Sequence, residues 1–352
     1  MTKKIVFITS NNDFFGQTRK AWNGMDSAKI HSRMTENGFE VDRMTHHTAL
    51  NKYSDIQDSV VFYAFSQKTN IRYYLLDLIR FLDNGTNLIV PRYDLLKCHE
   101  NKGYQELFKK KLGISGLKSF YFTGLDDLKH YDLEFPLVFK TLDGSNAKGV
   151  KLVKNQQELH KIVQEQTKIT FFDKLDILRR RYLRGEKKYK EYPDYSNKKD
   201  LEDYIPYITQ EKNFILQEFV PDLEFDFRVL AIGDKFYPMK RHTKDGDFRA
   251  SGTKLFDFDF ETDEKLLDYA SEIKSKMDCP FLSIDICFHN GKYHLFEFQA
   301  LHFGISAFMK ANYYFVNDGI SWTKMNSIPD IENAIADGLT EYILSKNSGL
   351  SL

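Results

Sequence analysis

Apolar and polar positions alternate in blocks through the N-terminal part of the chain. Residues 5–8 are apolar and give way to Thr9-Ser10-Asn11-Asn12-Asp13, after which a helix-compatible stretch runs over 19–37 and closes at Gly38. Further apolar runs at 59–65 and 88–90 are separated by an amphipathic stretch over 73–82. Strand, helix and strand in succession predict a parallel sheet covered by helices, an α/β substrate domain bounded at residues 1–95.

Residues 102–112 read as a helix stopped by Gly113, 120–122 as a short strand, and 135–140 as a strand that ends in Lys140. A loop, Asp143-Gly144-Ser145-Asn146-Ala147-Lys148-Gly149, then leads to a strand over 150–153. Residues 165–212 differ in character: poor in aliphatics and glycine, dense in charge and tyrosine, without strand alternation, they read as an insertion. Beyond it 214–219 is apolar. Two hairpins follow, 225–232 with 235–241 across Gly233-Asp234, and 281–288 with 293–298 across Asn290-Gly291. The expected organisation is therefore a lid region over 96–213 that carries the insertion, and a C-terminal antiparallel-sheet domain over 214–352.

Composition narrows the class. Among 352 residues, 50 Lys plus Arg balance 50 Asp plus Glu, and the pI is near 7.1. No general basic field exists to draw nucleic acid or an anionic membrane. Cys98, Cys279 and Cys287 are odd in number and never spaced as CxxC, which argues against a disulfide framework or structural zinc and for a cytoplasmic setting. Residues 5–8 are too short for a signal-peptide core, and no run approaches the roughly 18 apolar residues of a membrane span.

Two places carry candidate chemistry. The loop from Gly144 to Gly149 has GxxxxG spacing, but Val150 and Lys151 stand where a P-loop needs Lys and Ser or Thr, so that motif is rejected. A strand ending in Lys140 and followed by a Gly/Ser loop is another way to hold a polyphosphate, with a solvated surface hairpin as the plain alternative. In the second hairpin, register decides whether Asp285, Glu297 and Gln299 meet. A two-residue loop sets 288 opposite 293 and sends Asp285 and Glu297 to opposite faces. A three-residue loop sets 288 opposite 292, puts the three oxygen-bearing residues on one face and gathers Ile284, Ile286, Phe288, Phe296 and Phe298 on the other; this register is the expected one. Converging carboxylates need a cation, and all-oxygen donors suit Mg²⁺ bridging phosphates. Asp226, Arg228, Arg241 and Arg249 add groups able to grip carboxylates and phosphates.

Taken in order, these segments resemble the ATP-grasp superfamily, and within it the branch of the ligases that add glutamate to ribosomal protein S6. Glu100-Asn101-Lys102 with Leu112-Gly113-Ile114 is similar to the family's Asp/Asn-Lys segment, implying Lys102 at the nucleotide phosphates. Phe135-Pro136-Leu137-Val138-Phe139-Lys140 with the loop through Gly144 and Ser145 to Gly149-Val150 resembles "FPxVxKP...G..GV", implying Lys140 near the α and β phosphates. Gln217-Glu218-Phe219-Val220 is similar to the hinge whose backbone reads adenine, and Asp226-Phe227-Arg228-Val229 resembles "DxRV", implying Asp226 near the ribose. Arg241 and Gly246-Asp247-Phe248-Arg249 resemble "R...GDFR", implying Arg241 and Arg249 at the reacting phosphate and carboxylate, with Arg228 beside them. Asp285, Glu297 and Gln299 match the metal-binding Asp, Glu and Asn.

The resemblance spans about 97–305. Gln299 departs from the usual Asn, Ser251 stands where "GDFRxN" expects Asn, and Thr141-Leu142 replaces the Pro after the strand lysine. It implies an ATP-grasp fold behind an N-terminal α/β domain, ATP with one or two Mg²⁺ ions (Mn²⁺ as an alternative), a carboxylate substrate and an amine acceptor joined through an acyl phosphate, and a homodimer as the family-level expectation. Amino acids, peptides and uronic-acid glycans are candidate carboxylates. Two alternatives stay open: a kinase that stops at phosphoryl transfer, and a nucleotide-binding assembly protein without turnover. His302 is a candidate substrate contact, Cys98 and Cys287 are expected to be buried small hydrophobes, and His46-His47 is expected at the surface. Residues 179–199 hold nine Lys or Arg against three acids, a solvated face or a platform for an anionic acceptor.

Overall fold

The computed structural model describes residues 4–18, 20, 22–144, 149–166, 170–183, 193–208 and 212–348. The chain forms two compact units. The larger comprises Met1–Leu117, Asp143–Ala147 and Val220–Leu352, the smaller Lys118–Leu142 and Lys148–Phe219.

In the larger unit, β1 (Lys4–Thr9), β2 (Glu40–Thr45), β3 (Val60–Tyr63) and β4 (Leu88–Val90) form a parallel sheet in the order β2-β1-β3-β4. Its central strands are apolar on both faces because helices cover both. The first helix spans Ser27–Glu36, shorter than the 19–37 expected. The Asp26 carboxylate accepts from the backbone N–H groups of Ala28 and Lys29, at 2.9 and 3.0 Å, and so caps the helix there. Gly24 lies against the loop after β1, where a Cβ would stand 2.8 Å from the Phe15 nitrogen. That close approach holds the preceding segment out of the helix. His46 is buried against Tyr74 rather than exposed, whereas His47 is at the surface.

The smaller unit is an antiparallel sheet in the order β5-β8-β6-β7, made by β5 (Ser119–Phe122), β6 (Leu137–Thr141), β7 (Val150–Val153) and β8 (Phe214–Glu218). Phe214 packs against both Phe122 and Phe139 in its core, each pair with ring centroids 5.3 Å apart. Helices Gln156–Gln166, Phe171–Leu183 and Lys198–Ile208 lie between β7 and β8 in the chain, the last two within the 165–212 stretch read as an insertion.

The remaining strands return to the larger unit. They are β9 (Phe225–Ile232), β10 (Lys235–His242), β11 (Phe256–Asp257), β12 (Phe281–His289), β13 (Lys292–Gln299), β14 (Tyr313–Asn317) and β15 (Trp322–Asn326), ordered β13-β12-β9-β10-β14-β15 with β11 on β10. One apolar core joins this sheet to the N-terminal one: Phe62 of β3 meets Phe281 of β12, ring centroids 5.9 Å apart. The second core, under Ile284, Ile286, Leu295 and Phe298, packs on the helix Glu264–Met277. Cys98, Cys279 and Cys287 are buried thiols, none of them in a disulfide. No helix among the described residues is long and apolar enough to cross a membrane.

Candidate functional site

The β12–β13 hairpin turns differently from expectation yet delivers the same face. Asn290 (φ 50°) and Gly291 (φ 73°) make a two-residue turn, so 288 does pair with 293 and not with 292. A bulge then corrects the parity. Ile286 pairs with Leu295 but Asp285 pairs with Glu297, leaving Phe296 as the extra residue. Asp285 and Glu297 are directly opposed, with Gln299 two residues on. Leu295 takes the place expected for Phe296 beside Ile284, Ile286 and Phe298, while Phe296 packs near Leu117, Val220 and Cys287.

Pairing across the sheet extends this polar face. Arg228 on β9 is opposite Asp285, and Asp226, two residues before it, is opposite Arg241 on β10. Asp226, Arg228, Arg241, Asp285, Glu297 and Gln299 therefore share one sheet face above an apolar one. The Arg228 Nε and Nη2 donate to the two oxygens of Asp285 at 2.7 and 2.8 Å. Arg241 donates from Nε and Nη2 to both oxygens of Asp226 at 2.7 Å, and its Nη2 lies 2.9 Å from Asp285 Oδ2. Burial pushes the Asp285 carboxyl up, but the Arg228 and Arg241 guanidiniums outweigh it and hold it at about 2.

Lys102 opens the helix Lys102–Lys111 and stands 3.9 Å from Glu297 Oε1. Its Nζ donates to the Gly144 carbonyl at 2.8 Å, and the Gly144 N–H donates to Glu100 at 2.9 Å. The three acids on the face, Asp226, Asp285 and Glu297, are thus matched by Arg228, Arg241 and Lys102. A polyphosphate arriving on so balanced a surface must bring its own cation. The donors Asp285, Glu297 and Gln299 fit such an ion. They are oxygen only, with two carboxylates, and Mg²⁺ retains phosphate and water ligands rather than a closed protein cage. Among the described residues, no group of three or more His, Cys, Asp or Glu is placed to hold a metal.

Arg249 is not joined to this cluster by any contact among the described residues. It lies in the loop between β10 and β11 and grips Asp247 through Nε and Nη2, both at 2.8 Å. Val220 and Gly144 also belong to the larger unit; Lys140, Gly149, Gln217, Glu218 and Phe219 belong to the smaller one. Ser145 lies outside the described residues.

Within the smaller unit, Lys140, one residue before the end of β6, donates to Gln217 Oε1 at 2.6 Å, while Gln217 Nε2 donates to Ser119 Oγ at 3.2 Å. Gln217 is buried, so its carboxamide orients the lysine from beneath. Sequence reasoning assigned Gln217 to the hinge and missed Ser119; the polar residue opposite it on β5 was the only signal. Glu218 pairs with Lys118, whose backbone N–H donates to its carboxylate at 3.1 Å. Gly149 has φ +77°, and a Cβ there would stand 2.1 Å from Thr141 Oγ1. Gly149→Ala should therefore destabilise the smaller unit by about 2–4 kcal/mol, the left-handed penalty plus the clash, read as an earlier denaturant transition. A change below about 0.5 kcal/mol would show that the turn is not held as described.

Solved structures place this architecture. D-cycloserine synthetase DcsG is similar over 96% of this chain and 99% of its own, with a TM-score of 0.53 and 10% identity. An ATP-grasp ligase associated with a RiPP from Chryseobacterium gregarium is similar over 96% of each chain, with a TM-score of 0.50 and 12% identity. The chain has the ATP-grasp fold. Neither the family models nor the curated proteins give a match to the sequence. The acidic face lies on β9, β10, β12 and β13 of the larger unit, and Lys140 and Gln217 lie on β6 and β8 of the smaller one.

Proposed function

We propose that this protein is an ATP-dependent carboxylate–amine ligase that forms an amide through an acyl phosphate. The observation that carries the reading is the single sheet face bearing Asp226, Arg228, Arg241, Asp285, Glu297 and Gln299 in a chain of ATP-grasp fold. Lys102 and Lys140 would bind the nucleotide phosphates, the hinge Gln217 to Val220 the adenine, and Asp226 the ribose. Asp285, Glu297 and Gln299 would hold Mg²⁺, which when bound draws charge from the phosphate oxygens. Arg228 and Arg241 are oriented by their carboxylates, so guanidinium N–H groups stand ready for a phosphoryl or acyl oxygen without reorganisation. Arg249, pinned by Asp247, would neutralise the substrate carboxylate.

The product set tests this reading. A ligase releases ADP and phosphate only when both carboxylate and amine are supplied; a kinase leaves a phosphorylated product that needs no amine. The arginine grip on both oxygens of Asp285 favours a second reading, nucleotide binding without turnover, in which ATP binds and no ADP forms. Lys140→Ala should weaken ATP binding by about tenfold or more, through loss of a charged hydrogen bond, and abolish turnover in a protein that stays folded. Unchanged ATP affinity removes Lys140 from the site.

A further inference from the structure

β13 is the outer strand of its sheet, so backbone groups on its far side have no ladder partner. Around the bulge, side chains answer them. The Leu295 N–H donates to the Tyr269 hydroxyl at 3.0 Å, and the Lys109 ammonium donates to the Leu295 carbonyl at 3.4 Å. Further along, the Phe298 N–H donates to Gln105 Oε1 at 3.5 Å.

The spacing of these contacts is what matters. In a regular strand the residues whose N–H and C=O point off one edge recur at every second position, so 295 would be followed by 297. Here they are 295 and 298, three apart, and Phe296 is the extra residue that makes up the difference. A clamp that engages both 295 and 298 is therefore satisfied only by the bulged strand. Without the bulge, the Phe298 N–H would turn toward β12, and Glu297 would leave the face it shares with Asp285.

Each clamping group is itself fixed. The Tyr269 hydroxyl gives its own hydrogen to the Ser115 carbonyl at 3.0 Å, which leaves its oxygen to accept. Gln105 is buried and donates from Nε2 to the Cys98 carbonyl at 3.1 Å, so its Oε1 is turned toward β13. Lys109 is equally buried and pairs with Glu106 at 2.5 Å. Gln105 and Lys109 follow Lys102 by three and seven positions on one face of the helix Lys102–Lys111. The helix that sets Lys102 3.9 Å from Glu297 thus also grips the strand that carries Glu297.

We propose that Tyr269, Lys109 and Gln105 are positioning residues: from outside the sheet they fix the Phe296 bulge, and through it they hold Glu297 beside Asp285 as a metal ligand. They act through Glu297 and not on substrate. The assignment rests on the ligase reading to the extent that Glu297 binds the cation there.

Two readouts on the full chain test it, neither of them turnover. The first is hydrogen exchange of the 295–299 backbone amides without ligand. The second is Mn²⁺ binding followed by electron paramagnetic resonance in the presence of a non-hydrolysable ATP analogue. Tyr269→Phe keeps the ring and removes the hydroxyl; Lys109→Met with Glu106→Gln removes the ammonium without stranding its carboxylate. Each should speed exchange at 295–299 and raise the half-saturating Mn²⁺ concentration about tenfold, as loss of a group that orients a metal ligand does. Added to Glu297→Gln, Tyr269→Phe should raise it no further, because the ligand it positions is already gone. Unchanged Mn²⁺ affinity in both variants overturns the proposal, and so does a further loss on the Glu297→Gln background, which a merely structural role would give. Faster exchange in the variants of a protein whose wild type binds no Mn²⁺ supports the clamp and sinks the metal assignment of the ligase reading alone.

Discussion

Replacing Arg241 with methionine should lower the stability of the larger unit by about 3–5 kcal/mol, the loss expected when one member of a buried ion network is removed. Arg241 is only 3% exposed, as is Asp226, and it is the group that donates to both oxygens of Asp226 and reaches Asp285 as well. Without it, Asp226 keeps a buried charge with no donor and faces the Asp285 charge across the sheet. The cost is that of the stranded carboxylate, not of one lost bond. Adding Asp226→Leu to the Arg241 variant should therefore restore most of the stability, a coupling that a double-mutant cycle in guanidinium reads directly. A loss below about 1 kcal/mol, or no recovery in the double variant, would mean that the four-membered network is not formed in solution.

Acid should destabilise the protein well before its carboxylates titrate. His99 and His302 have folded-state values of about 3 and 4, lowered first by burial, with His302 and Arg72 adding to the effect on His99 and Glu100 opposing it on His302. In the unfolded chain both titrate near 6.5. Groups depressed in this way contribute stability that is fully present above about pH 6.5, because the unfolded chain takes up their protons first as pH falls. At about 1.4 kcal/mol per pH unit for each ring, the fall from pH 6.5 to 5 amounts to roughly 4 kcal/mol. Asp285, held at about 2, contributes only to the loss below about pH 4, so the two windows separate. Unfolding midpoints measured from pH 7 to 5 should decline steeply in the wild type and remain nearly flat in a His99→Gln/His302→Gln double variant. Equal slopes would place these rings in water.

How much of this could be read from the sequence depends on how local the determining physics is. β7, β9 and the Gly233-Asp234 hairpin follow from alternation and turn residues, and the structure has them where alternation predicts. The acidic face was legible for a partly wrong reason. The apolar residues demanded that Asp285 and Glu297 share a side, and a three-residue loop was the simplest device. The chain keeps the Asn290-Gly291 turn and places the extra residue at Phe296, since a bulge depends on packing against Leu117, Val220 and Cys287, which are distant in sequence. His302 stood out as a candidate, but His99 did not, because only tertiary folding brings the two rings together. The pairing of Arg228 and Arg241 with Asp285 is likewise a cross-strand fact. The β14–β15 hairpin and the long helix Ile331–Ser348 carried no signal strong enough to set their bounds.

The ligase reading stands or falls on an acyl phosphate. Incubating the protein with Mg²⁺, ATP and hydroxylamine across pooled amino acids, peptides and uronic acids, while following ADP, AMP and hydroxamate together, tests it most directly. ADP with a hydroxamate from one carboxylate pool, both lost in Glu297→Gln, is the expected result. ATP binding with neither ADP nor hydroxamate across the whole set would contradict it and leave a nucleotide-binding protein without turnover.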